Sequence, residues 1–206
     1  MNPVQIRTAA ESLWAARSGG TKLTRLLGDQ CPTNLTDGYA IQTETVLCAQ
    51  SAVMGWKIAA TSSAGQAHIG VDGPLAGPLL DTTLLSAPAT LSLESNHMGV
   101  VELEFAFRFG GDCPARETRY LQDEVLARVE TVHPCIEVPD SRFTNFSDVG
   151  PAQLVADAAC AWKLVYGLAA VCDWRELDFA MHEATLFVDG VESCSGKGAN
   201  LSLIHI

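Results

Sequence analysis

The sequence lacks the features that mark secreted and membrane-spanning proteins. Its seven cysteines are an odd number and contain no Cys-x-x-Cys pair, which predicts neither a disulfide framework nor a zinc site. No apolar run approaches the ~20 residues of a membrane-spanning helix, and the N-terminus has no signal-peptide pattern. We therefore expect a cytoplasmic protein.

Basic residues are also scarce. Thirteen lysines and arginines stand against 24 aspartates and glutamates, which gives a net charge of −11 at pH 7. Such a chain repels phosphate backbones and anionic membranes, so neither nucleic acid nor a membrane is expected as a partner. An anionic substrate would need a cation in its site.

The remaining composition is that of a globular chain of about one domain, with 48% hydrophobic and 18% charged residues in a length of 206. Periodicity and turn signals predict helices over residues 2–18, 36–54 and 119–133, and a short one from Pro151. Strands are predicted over residues 55–61, after the turn within 70–80, and over 100–109, 135–138 and 161–167. A hairpin is predicted around Asp189-Gly190. This order indicates an α+β protein.

The predicted strand VVELEFAFRF, residues 100–109, has two different faces. Side chains on a strand alternate between faces, so one face is apolar and consists of Val101, Leu103, Phe105, Phe107 and Phe109. The other face carries Glu102 and Glu104. A half-buried strand that turns these glutamates to water is the simple interpretation.

A third glutamate, Glu137 in HPCIEVPDSRF, lies between Ile136 and Val138 on a short strand that is predicted to be interior. Glutamate is rarely buried without a partner. Because carboxylate oxygens are the ligands that Mg²⁺ and Mn²⁺ prefer, one divalent cation could satisfy all three glutamates. The spacing of the three is not specific in itself.

Five motifs in order resemble the fumarylacetoacetate hydrolase superfamily, and within it the 2-keto-4-pentenoate hydratase and 4-oxalocrotonate decarboxylase branch. They are GWKIAATS (55–62), GVDGPLAGPLL (70–80), VELEFAF (101–107), HPCIEVPDSRF (133–143) and LVADAACAWKLVYG (154–167). The resemblance implies a helical N-terminal α/β part over residues 1–85. It also implies a catalytic core over residues 86–200, a mixed β-roll that is incomplete at its C-terminal end.

The resemblance also implies roles for individual residues. Glu102 and Glu104 match the E-x-E metal ligands, and Glu137 matches the third ligand of a Mg²⁺ or Mn²⁺ ion. Lys57 matches the lysine of a motif that faces the substrate, where it would bind the substrate carboxylate or relay a proton. Alternatively, Lys57 only extends its ammonium group from a strand end into water.

Further site residues follow from the same motifs. The resemblance places catalytic roles on Asp72 and Asp157, and substrate contacts on Gly77, Ser141 and Arg142. Three of these five residues have a structural alternative. Asp72 would set a turn, Asp157 would cap or pair locally, and Arg142 would form an ion pair with Asp140.

Two positions depart from the pattern of this branch. Leu75 stands where its hydratases have an acid after the proline of the turn, and Ala158 stands where they have asparagine in Ala-Asp-Asn-Ala. The pocket region thereby loses two polar groups. The metal ligands are unaffected, while the substrate and the reaction stay open.

The resemblance implies a metal-dependent hydratase that adds water to 2-hydroxypenta-2,4-dienoate, or a related dienoate, in the meta-cleavage catabolism of aromatic compounds. A 2-oxo acid decarboxylase and a hydrolase of acylpyruvates or fumarylacetoacetate are the alternatives, because the same chemistry serves all three. An inactive fragment that keeps only the scaffold is another. We expect a small anionic substrate. We also expect the chain to form a homo-oligomer, and association of this oligomer with another enzyme of the pathway is a further hypothesis.

The last six residues, LSLIHI (201–206), break the family pattern. They resemble the in-frame translation of a sequencing adapter. We therefore expect a non-native tail on a C-terminally truncated chain, which would leave strand edges open.

Overall fold

The structure is a computed structural model that describes residues 1–199, so the predicted tail over 201–206 lies outside the described residues. Its α-helices are α1 (Pro3–Ser18), α2 (Leu35–Ala49), α3 (Ser63–Ile69), α4 (Gln122–Leu126) and α5 (Pro151–Ala156). Its strands are β1 (Val53–Ala59), β2 (Leu75–Leu80), β3 (Leu84–Ser86), β4 (Glu102–Phe109), β5 (Val129–Val138), β6 (Lys163–Tyr166), β7 (Glu183–Val188) and β8 (Val191–Lys197). None of the helices in this part of the chain is long and apolar enough to cross a membrane.

Helix α1 begins where the sequence predicts. The Asn2 side chain accepts the N–H of Gln5 at 3.0 Å, and the Gln5 side chain accepts the N–H of Asn2 at 2.9 Å. This reciprocal pair satisfies two backbone donors at the helix start, and Pro3 occupies the first position. The helix predicted over residues 2–18 is therefore confirmed.

Helix α2 ends earlier than predicted. It stops at Ala49, and Gln50 takes a left-handed conformation with φ of +51°. The residues from Val53 onward, predicted to be helical as far as Met54, instead belong to β1, where Val53 pairs with Leu80 of β2. Pairing with a distant strand overrides the local helical pattern here.

The Asn34 side chain caps α2 by accepting the N–H of Asp37 at 2.9 Å. We expect Asn34→Ala to lower the free energy of unfolding by about 1 kcal/mol, because a helical N–H loses its acceptor. Asn34→Ser keeps an acceptor without placing a second carboxylate beside Asp37, and is the matched control. Chemical denaturation of the two variants checks the effect, and equal stability of both would contradict it.

The helix predicted over residues 119–133 is mostly wrong. Only α4 is helical, and Val129 begins the long strand β5. The buried side chains of Val129 and Val132 instead pack with Trp174 in one apolar cluster. Closely spaced valines fit the period of a helix as well as that of a strand. The hydrogen bonds to β4, which the local sequence does not show, stabilise the strand.

The chain forms two compact units. Unit 1 consists of residues Met1–Leu84, Thr90–Val101 and Val138–Leu164. It holds α1, α2, α3 and α5 and the antiparallel pair β1–β2. Its core includes an apolar cluster around Leu13, Ile41 and Phe143 and another around Leu75 and Val155.

Unit 2 consists of Leu85–Ala89, Glu102–Glu137 and, within the described part of the chain, residues 165–199. Most of a four-stranded sheet with the order β3-β6-β5-β4 belongs to it, together with the hairpin β7–β8. The predicted hairpin turn is confirmed, because Asp189 and Gly190 have φ values of +51° and +79°. The predicted functional division at residue 86 stays a prediction.

Candidate active site

The antiparallel ladder between β4 and β5 brings the three predicted metal ligands together. Glu102 pairs with Glu137, and Glu104 pairs with Cys135. Paired residues and residues two apart on a strand share a face of the sheet, so all four side chains lie on one face. The sequence predicted the face of Glu102 and Glu104, whereas the register that places Glu137 opposite Glu102 is a tertiary feature.

One carboxylate oxygen from each of Glu102, Glu104 and Glu137 lies within 4.8 Å of the others. Glu137 is only 4% exposed, while Glu102 and Glu104 are exposed. Charges at this separation repel by roughly 1 kcal/mol in water and about 3.5 kcal/mol at an effective dielectric constant near 20. Three convergent hard oxygen donors fit a divalent cation, which would convert this repulsion into attraction.

Cys135 is the fourth side chain on this face. Burial raises the pKa of its thiol to about 12, and the neighbouring Glu104 and Glu137 carboxylates act in the same direction. The thiol is therefore neutral at physiological pH. Its sulfur adds no charge to the site and is a small buried group, unlike the exposed Cys113, Cys172 and Cys194. The expectation that most of the cysteines are buried is therefore wrong.

The other face of β4 is apolar only in part. The rings of Phe105 and Phe107 contact Phe179 edge-on, with centroid distances of 5.1 and 5.4 Å. In contrast, Val101 and Leu103, predicted to belong to the same apolar face, are exposed. The aromatic half of the strand is thus the part that is fixed by packing.

Lys57 lies in unit 1, on the half-buried strand β1, and pairs in register with Gly77 of β2. A Cβ atom at Gly77 would overlap the carbonyl oxygen of Ala158 and would lie 3.2 Å from the Cβ of Ala161. This close backbone approach explains the glycine by packing alone. Asp72 is exposed in the turn that precedes β2.

Ser141, Arg142 and Asp157 form a buried cluster in unit 1. The Ser141 hydroxyl and the Arg142 backbone N–H both donate to Asp157 Oδ2, at 2.7 and 2.6 Å. Burial raises the pKa of the Asp157 carboxyl, and these hydrogen bonds act in the opposite direction. Arg142 forms an ion pair with Asp140. These contacts are the ones expected if Asp157 pairs locally and Arg142 forms an ion pair with Asp140, which is the structural alternative to a role in catalysis or substrate binding.

Sequence reasoning missed two cations at this cluster. Lys22 Nζ lies 3.3 Å from Asp140 Oδ1 and also donates to the carbonyl of Ser141. Arg17 Nη2 donates to the carbonyl of Ala161 at 2.6 Å, and burial lowers the pKa of its guanidinium. Both residues stand more than 100 positions from their partners, so no local pattern could reveal them.

No protein-family model matches this sequence. The 2-keto-4-pentenoate hydratase of Paraburkholderia xenovorans (strain LB400) is 31% identical over 202 residues, which cover 97% of this chain and 74% of that protein. The chain belongs to the 2-keto-4-pentenoate hydratase family. Membership of this hydratase family confirms the prediction of a hydro-lyase enzyme.

Solved structures confirm the fold of this hydratase family member. A 4-oxalocrotonate decarboxylase from Pseudomonas putida G7, complexed with magnesium and adipate, superposes with a TM-score of 0.85 at 23% identity, over 97% of this chain and 76% of that one. The same decarboxylase complexed with calcium and acetate gives 0.83 at 22% identity, over 97% and 75%. The predicted α+β fold of the fumarylacetoacetate hydrolase type is thus confirmed. Both of these structures carry a divalent cation.

Both departures from the hydratase pattern lie in the interior of unit 1. Leu75 is 2% exposed and packs among apolar side chains such as Leu154 and Val155. Ala158 opens a turn of three consecutive left-handed residues, 158 to 160, with φ values of +57°, +48° and +66°. Left-handed backbone costs about 1 to 2 kcal/mol per residue with a Cβ atom, and asparagine tolerates it better than alanine. Ala158 therefore makes this turn more strained than the family's asparagine would.

Proposed function

We propose that this protein is a divalent-metal-dependent hydratase that adds water to 2-hydroxypenta-2,4-dienoate (2-keto-4-pentenoate) or a related dienoate. The product is a 4-hydroxy-2-oxo acid, and the reaction belongs to the meta-cleavage catabolism of aromatic compounds. The proposal rests on the convergence of Glu102, Glu104 and Glu137 in a chain of the 2-keto-4-pentenoate hydratase family.

In this proposal the three glutamates hold Mg²⁺ or Mn²⁺. When bound there, the ion polarises the oxygens of a small 2-oxo or 2-hydroxydienoic acid and stabilises the negative charge that proton transfer creates. Glu137 is held inside the sheet, so its carboxylate is fixed by packing before any ligand arrives. Glu102 and Glu104 are exposed and leave this face open to a small acid from solvent.

The roles proposed for unit 1 rest on the resemblance. Lys57 would supply positive charge to the substrate carboxylate in an otherwise acidic protein, or move a proton. Asp72 and Asp157 would take part in proton transfer, and Gly77, Ser141 and Arg142 would line the substrate region. Of the two acids, Asp72 is the one in contact with solvent.

Decarboxylation of a 2-oxo acid is the second candidate. The two solved structures described above are of a 4-oxalocrotonate decarboxylase, which favours this candidate over the hydrolases. The two reactions differ in product, because decarboxylation releases CO₂ whereas hydration keeps every carbon.

A turnover assay tests the proposal. We expect the protein to remove the ultraviolet absorbance of 2-hydroxypenta-2,4-dienoate in the presence of Mg²⁺ or Mn²⁺ and to form a 4-hydroxy-2-oxo acid. A chelator should abolish the activity, and either metal should restore it, because the carboxylates alone cannot stabilise further negative charge. Release of CO₂ from a 2-oxo acid would support the second candidate, and turnover unaffected by chelation would contradict the metal site.

We also propose that the enzyme acts in the cytoplasm as a homo-oligomer. Met54 and Trp56 on β1 are 58% and 53% exposed, although both are large and apolar. Apolar side chains on one face of a strand are typical of surfaces that another subunit covers. Their exposure supports association of this kind.

A further inference from the structure

Asp140 is a buried carboxylate on which three segments of unit 1 converge. It is 1% exposed, and its Oδ1 accepts the backbone N–H groups of His97 at 3.0 Å and Met98 at 3.3 Å. Lys22 Nζ lies 3.3 Å from the same oxygen, and Arg142 forms an ion pair with the carboxylate. Hydrogen bonds from backbone N–H groups to a buried carboxylate are among the stronger ones in proteins.

A neighbouring contact joins the same two segments. Asn96 Nδ2 donates to the carbonyl of Pro139 at 2.9 Å, and Asn96 Oδ1 accepts the N–H of Gly99 at 2.8 Å. Residues 89–101 form neither helix nor strand, so no ladder hydrogen bonds order this segment. The bonds to Pro139 and Asp140 therefore hold its backbone, together with a contact between His97 Nε2 and the carbonyl of Gly20 at 3.2 Å.

The hydrogen bonds of Asp140 lie close to the proposed metal ligands along the chain. The β4–β5 ladder ends at the pair Glu102–Glu137. Met98 precedes Glu102 by four residues, and Asp140 follows Glu137 by three. The Asp140 bonds thus join the two chain segments that directly continue the last ladder pair, where a ladder tends to fray and where the glutamate charges repel.

We propose that Asp140 is a positioning residue for the metal site. Its hydrogen bonds connect residues 97 and 98 to the segment that follows Glu137. These bonds keep the last pair of the ladder together although the glutamate carboxylates repel each other. Glu102 and Glu137 therefore already lie opposite each other before a cation binds. This inference rests on the metal site of the proposed function and assigns the Asp140 carboxylate a task apart from substrate contact.

The test uses the whole chain without metal. Mn²⁺ affinity is measured from the electron paramagnetic resonance signal of free Mn²⁺, and amide hydrogen exchange is followed at residues 97, 98 and 102–104. For Asp140→Asn we expect Mn²⁺ affinity to fall about tenfold or more, as is usual when a group that orients a ligand is lost, and exchange at these amides to accelerate. Lys22→Met is the matched control, because it removes a partner of Asp140 but leaves the bonds to His97 and Met98 intact. Its Mn²⁺ affinity should equal that of the unaltered protein.

A folded Asp140→Asn protein that binds Mn²⁺ as tightly as the unaltered chain would overturn the inference. If this variant does not fold, Asn96→Ala tests the same connection between the two segments, because it removes the hydrogen bond to Pro139 without leaving a buried cation unpaired. Weaker Mn²⁺ binding and faster exchange in Asn96→Ala support the inference, and unchanged values overturn it. Failure of the unaltered protein to bind Mn²⁺ would instead refute the metal site of the proposed function. The exchange rates at His97 and Met98 would still show whether the hydrogen bonds to Asp140 hold these residues.

Discussion

Replacing Glu137 with glutamine is expected to weaken Mn²⁺ binding by about 100-fold or more, because the buried one of the three proposed ligands is lost. Glu137 is the buried member of the triad and lies opposite Glu102 in the ladder. A neutral amide of the same size keeps the packing of the strand but removes one of the negative charges that attract the cation. Titration of the metal-free protein with Mn²⁺ measures the effect directly.

Glu130→Gln is the matched control for this experiment. Glu130 lies on the same strand β5, is exposed, and has its carboxylate 3.6 Å from Arg108, away from the triad. An exposed ion pair of this kind contributes little, so neither stability nor Mn²⁺ affinity should change measurably. Circular dichroism establishes that both variants are folded. Equal Mn²⁺ affinity in Glu137→Gln and Glu130→Gln would refute the triad.

The second large effect is expected at Gly77. Gly77→Ala should lower the free energy of unfolding by about 3 kcal/mol or prevent folding, because the added Cβ overlaps a backbone carbonyl rather than a mobile side chain. That carbonyl belongs to Ala158, the first residue of the strained left-handed turn. Since Ala159 and Cys160 also have positive φ values, the turn has little freedom to move away.

Gly55→Ala on the neighbouring strand β1 is the control for Gly77→Ala. A Cβ atom at Gly55 meets no heavy atom within 4 Å, so this variant should unfold at nearly the temperature of the unaltered protein. Thermal unfolding followed by circular dichroism compares the two. If Gly77→Ala were as stable as Gly55→Ala, close packing would not explain the glycine, and the role in substrate binding would gain support.

The residues that sequence reasoning predicted correctly are those whose conformation is decided by near neighbours. The Asn2 cap and Pro3 determine where α1 begins, and Asp189-Gly190 determines a hairpin turn, because a few adjacent backbone groups settle each choice. The predictions that were wrong, the end of α2 and the helix up to residue 133, involve residues that pair with distant strands. Local periodicity carries no information about such partners.

The candidate metal site shows the same division. The sequence by itself determined that Glu102 and Glu104 share one face of a strand, since alternation follows from backbone geometry. It also determined the family, because motifs spread along most of the chain resemble the hydratases and the 31% identity bears this out. Only the tertiary structure decided that Glu137 lies opposite Glu102, that Gly77 meets Ala158, and that Asp140 binds the backbone of residues 97 and 98. The physical reason is that register, close backbone contact and buried hydrogen bonds join segments far apart in the chain, and no short stretch of sequence specifies both members of such a pair.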